Sequence, residues 1–238
     1  MLLDVQELDS RIDSLSHQLA TLPEAQQLKD VVLRRTQVEN GVRDLRVRVE
    51  DLTSEQKRAD ADVEQVKTRR VRDQGMVDSG QIADPKALER MLDELKSLQR
   101  RITSLEDTEL EVMEELEATQ THLDHETAAM ASLDEERVRL QQALDEKAAD
   151  VQAQLAAARS ERVTTVAGMP EDLMTLYAKL REQKGGVGAA ALRRRECEGC
   201  RLTLNASDLG IIAKAPADEV LRCEECNRIL VRVPESGL

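Results

Sequence analysis

Asp78-Ser79-Gly80-Gln81-Ile82-Ala83-Asp84-Pro85 is the stretch whose reading decides this fold. Gly80 suits the end of one helix, Asp84 caps the start of another, and Pro85 fits a first helical turn, where its missing N–H is no loss. On the N-terminal side, apolar residues fall at Val38, Val42, Leu45, Val49, Leu52, Ala59, Val63 and Val66, alternating four- and three-residue steps with a polar gap at Gln56. On the C-terminal side the same spacing runs through Leu95, Leu98, Ile102, Leu105, Val112, Leu116, Leu123, Met130, Leu133, Leu140, Leu144, Val151 and Leu155. Two heptad seams separated by a turn predict a long antiparallel coiled-coil hairpin. A short turn closes that pairing at lower entropic cost than a parallel dimer of separate chains. Each arm of roughly 70 residues spans about 100 Å at about 1.5 Å per residue.

Composition agrees. The chain of 238 residues has no Trp, no Phe and one Tyr, so it lacks the aromatic side chains that supply much of an ordinary globular core. Charged residues make up 34 % of it, and the long tracts are free of proline. Net charge is −13, and all of the excess acid falls in residues 1–167, which hold 23 Lys and Arg against 36 Asp and Glu. Residues 168–238 balance at 11 of each. An acidic rod repels a phosphate backbone, so nucleic acid would have to meet the tail or a local basic patch.

The expected division is therefore a coiled-coil hairpin over 1–167 and a short helix with a metal-binding ribbon over 168–238. Pro23 breaks or kinks the first arm, leaving Leu8, Ile12, Leu15, Leu19 and Leu22 as the seam of a separate N-terminal helix. That helix either packs on the far end of the second arm, near Leu140 to Leu155, or is offered to a partner. Packing at home is favoured. Met169-Pro170-Glu171-Asp172 opens a further helix with Leu173, Leu176, Tyr177 and Leu180 on one face, ended by Gly185-Gly186. Tyr177 is expected where this helix meets the ribbon.

The four cysteines are Cys197, Cys200, Cys223 and Cys226, two Cys-x-x-Cys pairs with 22 residues between them. Two residues between cysteines let one tight turn aim two thiolates at a single ion, and two such turns complete a tetrahedron. A closed four-thiolate shell leaves no open position for water, which assigns a structural role to one Zn²⁺. Redox pairs or disulfides are the rival readings, and two matched pairs with no other cysteine fit a ligand set better. Strands are expected at 188–195, 201–204, 220–222 and 228–233, with a helical or looped insertion at 207–214. Asn227, directly after the last cysteine, suits a left-handed turn position. No signal peptide and no apolar run of about eighteen residues is present, which points to the cytoplasm and away from a membrane.

This order of parts resembles bacterial coiled-coil proteins with a C-terminal four-cysteine zinc ribbon. The resemblance spans nearly the whole chain. It is carried by Asp84-Pro-Lys-Ala-Leu88, by Leu105-Glu-Asp-Thr-Glu-Leu110 with Met113 and Glu114, and by Met169-Pro170 through Leu173 and Tyr177. Gly185-Gly186, and Cys197-x-Gly-Cys200 with Cys223-x-x-Cys226-Asn-Arg-Ile-Leu230, complete it. What the resemblance implies is a bent helical hairpin and a ribbon acting as an adaptor. Better-studied relatives are linked to RNA, or to a sigma factor and other proteins, in flagellar or transcriptional control.

Two function classes follow. In one the protein is a scaffold that binds protein partners through the rod or the ribbon, and in the other the ribbon binds RNA or DNA. The nucleic-acid candidates are Arg193, Arg194, Arg195, Arg201, Lys214, Arg222, Arg228 and Arg232, since a guanidinium fork bonds two phosphate oxygens at once. With no net positive charge in the tail and no aromatic beyond Tyr177 for base stacking, scaffolding is the favoured reading. Seam residues left over at the open end of the hairpin serve either a dimer or the first helix, so monomer and dimer both stand. Catalysis finds no support: His17, His122 and His125 lie in expected helix, no cysteine pairs with a histidine, and no phosphate loop is present. His122, His125 and Glu126 lack a further ligand in register for a surface metal site.

Overall fold

The computed structural model describes every residue from Met1 to Leu238. It is a mainly α protein, an antiparallel coiled-coil helical hairpin with a small β zinc ribbon at its C-terminal end. Helices α1 (Leu2–Ala20), α2 (Pro23–Asp78), α3 (Pro85–Val166) and α4 (Glu171–Gln183) precede strands β1 (Ala189–Arg193) and β2 (Glu196–Cys197). Helix α5 (Ala206–Lys214), strand β3 (Ile229–Arg232) and a 3-10 turn at Pro234–Ser236 complete the chain. The chain forms two compact units, Gln27–Leu140 and a second built from Met1–Gln26 with Gln141–Leu238.

In the Gln27–Leu140 unit the two arms meet along the heptad seam. Val31, Val42, Leu52 and Val63 of α2 are buried, as are Leu95, Leu98 and Ile102 of α3. Ion pairs between the arms fix the antiparallel register: Arg35 with Asp134 at 2.8 Å, Lys67 with Glu106 at 2.8 Å and Arg69 with Glu94 at 2.7 Å. The Lys67–Glu106 and Arg69–Glu94 pairs are exposed and add at most about 1 kcal/mol each, and Arg35–Asp134 is half-buried, so burial of the seam supplies most of the stability and the charges select the alignment. At the reversal Gly80 takes φ +68°, the Asp84 carboxylate accepts the Lys86 amide at 3.2 Å, and α3 begins at Pro85. Asp73 continues the seam at a core position, buried, with its carboxylate held by the Arg72 guanidinium at 3.0 and 3.1 Å.

In the other unit α1 is at home. Leu15 packs with Val151 and Leu155 of α3, while Val5 joins Tyr177 and Leu180 of α4 and Ala189 and Ile229 of the sheet. The sheet order is β2-β1-β3: β1 pairs antiparallel with β2 and parallel with β3, Ala190 opposite Leu230. The expected strands at 201–204 and 220–222 are reduced to single bridges, Glu196 with Thr203 and Arg222 with Ile229, because the metal-binding turns bend the chain out of the sheet within a few residues. The insertion at 207–214 is helical, and the Asn205 side chain caps it by accepting the Asp208 amide at 2.9 Å.

Candidate metal centre

The two cysteine turns are built alike. In the first, the Cys197 amide donates to the Leu202 carbonyl at 3.1 Å and the Arg201 amide returns to the Cys197 carbonyl at 2.7 Å. In the second, the Cys223 amide donates to the Arg228 carbonyl at 3.0 Å and the Asn227 amide returns to the Cys223 carbonyl at 2.8 Å. The residue four after each leading cysteine is left-handed, Arg201 at φ +59° and Asn227 at φ +66°. Each turn thereby presents two thiols to the same point.

All four sulfurs lie within 4.8 Å of one another, with Cys197 to Cys226 and Cys200 to Cys223 both at 3.9 Å. A tetrahedron with Zn–S near 2.3 Å has edges of about 3.8 Å, so the donor set fits one four-coordinate ion. The leading cysteines Cys197 and Cys223 are buried, and their partners are half-buried. Burial pushes the Cys223 thiol up to about 12 and raises that of Cys197 as well. Burial also opposes ionisation of Cys226, but the Arg228 amide and guanidinium and the neighbouring thiols outweigh it and bring Cys226 down to about 7. A thiolate stabilised in this way is the natural first ligand for an arriving cation. No other cluster of His, Cys, Asp and Glu has this geometry. His122 and His125 lie instead against Glu126, at 3.7 and 3.4 Å.

The eight cationic candidates differ in how they are engaged. Arg193 pairs with Glu198 at 2.9 Å and lies 3.6 Å from Glu235. Arg228 donates to the Val187 and Lys184 carbonyls, Arg222 to the Asn227 carbonyl, and Arg232 to the carbonyls of Ile212, Ala215 and Pro216. Arg194 and Arg195 form the two-residue loop of the β1–β2 hairpin, both left-handed at φ +50° and +67°. Asn-Gly is the usual occupant of such a turn, and non-glycine residues there cost roughly 1–2 kcal/mol each. The C-terminal tail holds them: the Arg194 amide donates a hydrogen bond to the Glu235 carbonyl, the Arg195 amide to that of Ser236, and the Arg195 side chain to that of Gly237. The side chains of Arg194, Arg201 and Lys214 are left without a bonding partner in the fold.

A buried polar network, absent from the sequence reading, ties the ribbon to α1. Asp9 is 3 % exposed and accepts from Arg162 at 2.6 and 3.2 Å and from the Tyr177 hydroxyl at 2.9 Å. Gln6 accepts the Gly188 amide at 2.7 Å and donates to the Gly186 carbonyl at 2.9 Å. Arg181 reaches Asp13 at 2.5 Å. Burial, then the hydrogen bond to Asp9, raises the Tyr177 hydroxyl well above its ordinary value of 10. The signal was present in the placement of Gln6 and Asp9 beside Val5 and Leu8 on the apolar stripe of α1.

A helical hairpin followed by a ribbon with four converging cysteines defines the class: a coiled-coil protein with a C-terminal module built around a candidate metal site. Residues 5–185 match the profile of the CT398-like coiled-coil hairpin domain, and residues 197–230 that of a C4-type zinc ribbon domain. The chain belongs to this CT398-like family. An uncharacterized protein of Mycobacterium tuberculosis is 34 % identical over 232 residues, covering 98 % of this chain and 94 % of its own. A solved structure from Mycobacterium smegmatis aligns with TM-score 0.78 at 29 % identity, covering 96 % of this chain and 94 % of its own. CT398 of Chlamydia trachomatis shares the fold at TM-score 0.69 and 16 % identity, over 98 % of this chain and 96 % of its own.

Proposed function

We propose that this chain is a non-enzymatic cytoplasmic adaptor, with one structural Zn²⁺ closing the ribbon and protein partners taken up by the coiled coil, the ribbon or both, in transcriptional or post-transcriptional control. The observation that carries this reading is the Gln6–Asp9–Tyr177–Arg162 network. It seats the ribbon on α1 and the end of α3 through buried, directional bonds, as suits a module that presents a surface in fixed orientation. Four thiolates fill the coordination shell, so the metal offers no site for catalysis. No helix is long and apolar enough to cross a membrane.

A second reading, RNA or DNA binding by the ribbon, is favoured by one observation: Arg194 and Arg201 flank a cleft of about 490 Å³ beside Cys197 with their guanidinium groups unpaired. Five of the other candidates already bond to the chain, and Glu196, Glu198 and Glu235 line the same cleft, so protein scaffolding remains the first reading.

The deciding experiment combines elemental analysis with RNA titration at low and moderate salt. The variant is Arg194→Asn with Arg195→Gly, which removes two cations while giving the turn its preferred residues. One zinc per chain with no salt-sensitive RNA binding supports the scaffold. Binding that the variant abolishes establishes the nucleic-acid reading, and absence of zinc refutes the ribbon.

A further inference from the structure

Charge is distributed along the Gln27–Leu140 unit in two opposed blocks. Residues 67–101, around the reversal, hold nine Lys and Arg against six Asp and Glu. Residues 102–136 of α3 hold twelve Asp and Glu and no Lys or Arg at all. The switch occurs along one helix face. Positions seven residues apart, which share a face of a coiled-coil helix, read Lys86, Asp93, Arg100, then Asp107, Glu114.

The α2 arm neutralises only part of the acidic block. Arg34, Arg35, Arg48 and Lys67 engage Glu136, Asp134, Glu115 and Glu106. Glu111, Glu114 and Glu117 stay exposed with no ion pair, and so do Arg90, Arg100 and Arg101 in the basic block. Arg90, Arg100 and Arg101 lie on the same continuous helix as Glu111, Glu114 and Glu117, so these unpaired charges cannot meet within a chain. Leu110, three residues past Asp107, adds a large apolar side chain at 55 % exposure to this outer face.

We propose that this outer face of α3 is a self-association surface, on which a second copy of the chain packs antiparallel, basic block against acidic block. A two-fold axis near Asp107 sets Arg100 opposite Glu114 and Arg90 opposite Asp124, each pair occurring twice by symmetry. In the same alignment Leu110 lies opposite Ser104, close to the axis. The paired stretch from Arg90 to Asp124 is about 50 Å long at about 1.5 Å per residue. Asp107 opposes its own copy at the axis, which keeps the association reversible. This inference stands apart from the adaptor reading and from the ribbon, and its failure would leave both untouched.

The test is sedimentation of the full, zinc-loaded chain at about 10 mM and about 1 M salt, where the screening length is about 30 Å and about 3 Å. The expected result is a doubled mass at low salt that reverts to one chain at high salt, with tighter association for Asp107→Asn. Two charge-reversal variants, Arg90→Glu with Arg100→Glu and Glu114→Arg with Asp124→Arg, should each be monomeric at low salt. Mixed in equal amounts, they should recover the doubled mass as a heterodimer. None of these four side chains takes part in an ion pair within the chain, so circular dichroism should show both variants fully helical. A wild type that is monomeric at low salt, a dimer indifferent to salt, or a mixture that stays monomeric would overturn the proposal. A monomeric wild type that instead binds an acidic polymer such as polyglutamate would assign the basic block to a foreign partner.

Discussion

Replacing Tyr177 by Phe removes one oxygen from the buried network and leaves the ring in place. That oxygen donates to Asp9 Oδ2 at 2.9 Å, and a hydrogen bond to a charged group contributes about 1.5–3 kcal/mol. Asp9 keeps both bonds from Arg162, so its charge stays compensated and the full penalty of an unpaired buried ion is avoided. The expected loss is about 2 kcal/mol. In an Asp9→Asn background the acceptor is neutral, and the same replacement should cost only about 1 kcal/mol. Urea unfolding of the zinc-loaded chain, read by exchange of the Gly188 amide that Gln6 accepts, reports this unit directly. A loss below about 0.5 kcal/mol, or an equal loss in both backgrounds, would refute the account of Tyr177 as the donor that locks the ribbon to α1.

Three further outcomes are expected. Chelation of the metal, or Cys223→Ser, should abolish amide protection in β1, β2 and β3 while far-ultraviolet dichroism keeps nearly all of its helical signal, since α2 and α3 owe their stability to the heptad seam. Tyr177 is the only aromatic residue in the chain, so phenolate absorbance follows it alone. Its folded-state value lies above the unfolded one, so its contribution to stability is complete below pH 10 and is lost as pH rises further. The native protein should show no phenolate at pH 10, where the urea-unfolded chain is half ionised, and native ionisation near 10 would contradict the burial. Gly188→Ala should cost at least about 2 kcal/mol, measured by denaturant melting, because its Cβ would stand 2.7 Å from the Tyr177 carbonyl oxygen and 3.0 Å from the Arg181 nitrogen, backbone atoms that cannot swing aside.

The hairpin was legible because its determinants are local and repetitive. Spacing of Val42, Leu52 and Val63 against Leu95, Leu98 and Ile102 names the buried face of each helix, and Gly80 with Asp84 and Pro85 names the reversal. What periodicity could not reveal were buried polar residues at core positions. Asp73 stands in the seam and Asp9 on the stripe of α1, and a charge there reads as solvent-facing until its partners are known. The partners of Asp9 lie 153 and 168 residues away, at Arg162 and Tyr177. No local pattern carries a bond of that separation.

At the metal centre, ligand identity was legible and the use of the arginines was not. Cysteine spacing fixes the donor set because two intervening residues are what a tight turn needs. Arg201 and Asn227 then occupy equivalent positions, each four residues past a leading cysteine, each left-handed, each returning its amide to that cysteine's carbonyl. Asn in that role is recognisable because it tolerates the left-handed region, whereas Arg in the same role reads as a free cation. The same holds for Arg194 and Arg195, whose backbone makes a hairpin loop that would ordinarily be Asn-Gly. Three arginines are thus held where the backbone disfavours them, in positions a cheaper residue would fill without strain. The turns dictate the backbone but not the guanidinium groups, and those of Arg194 and Arg201 bond to nothing in the fold. Strain that structure does not require is the reason to measure what these two side chains bind.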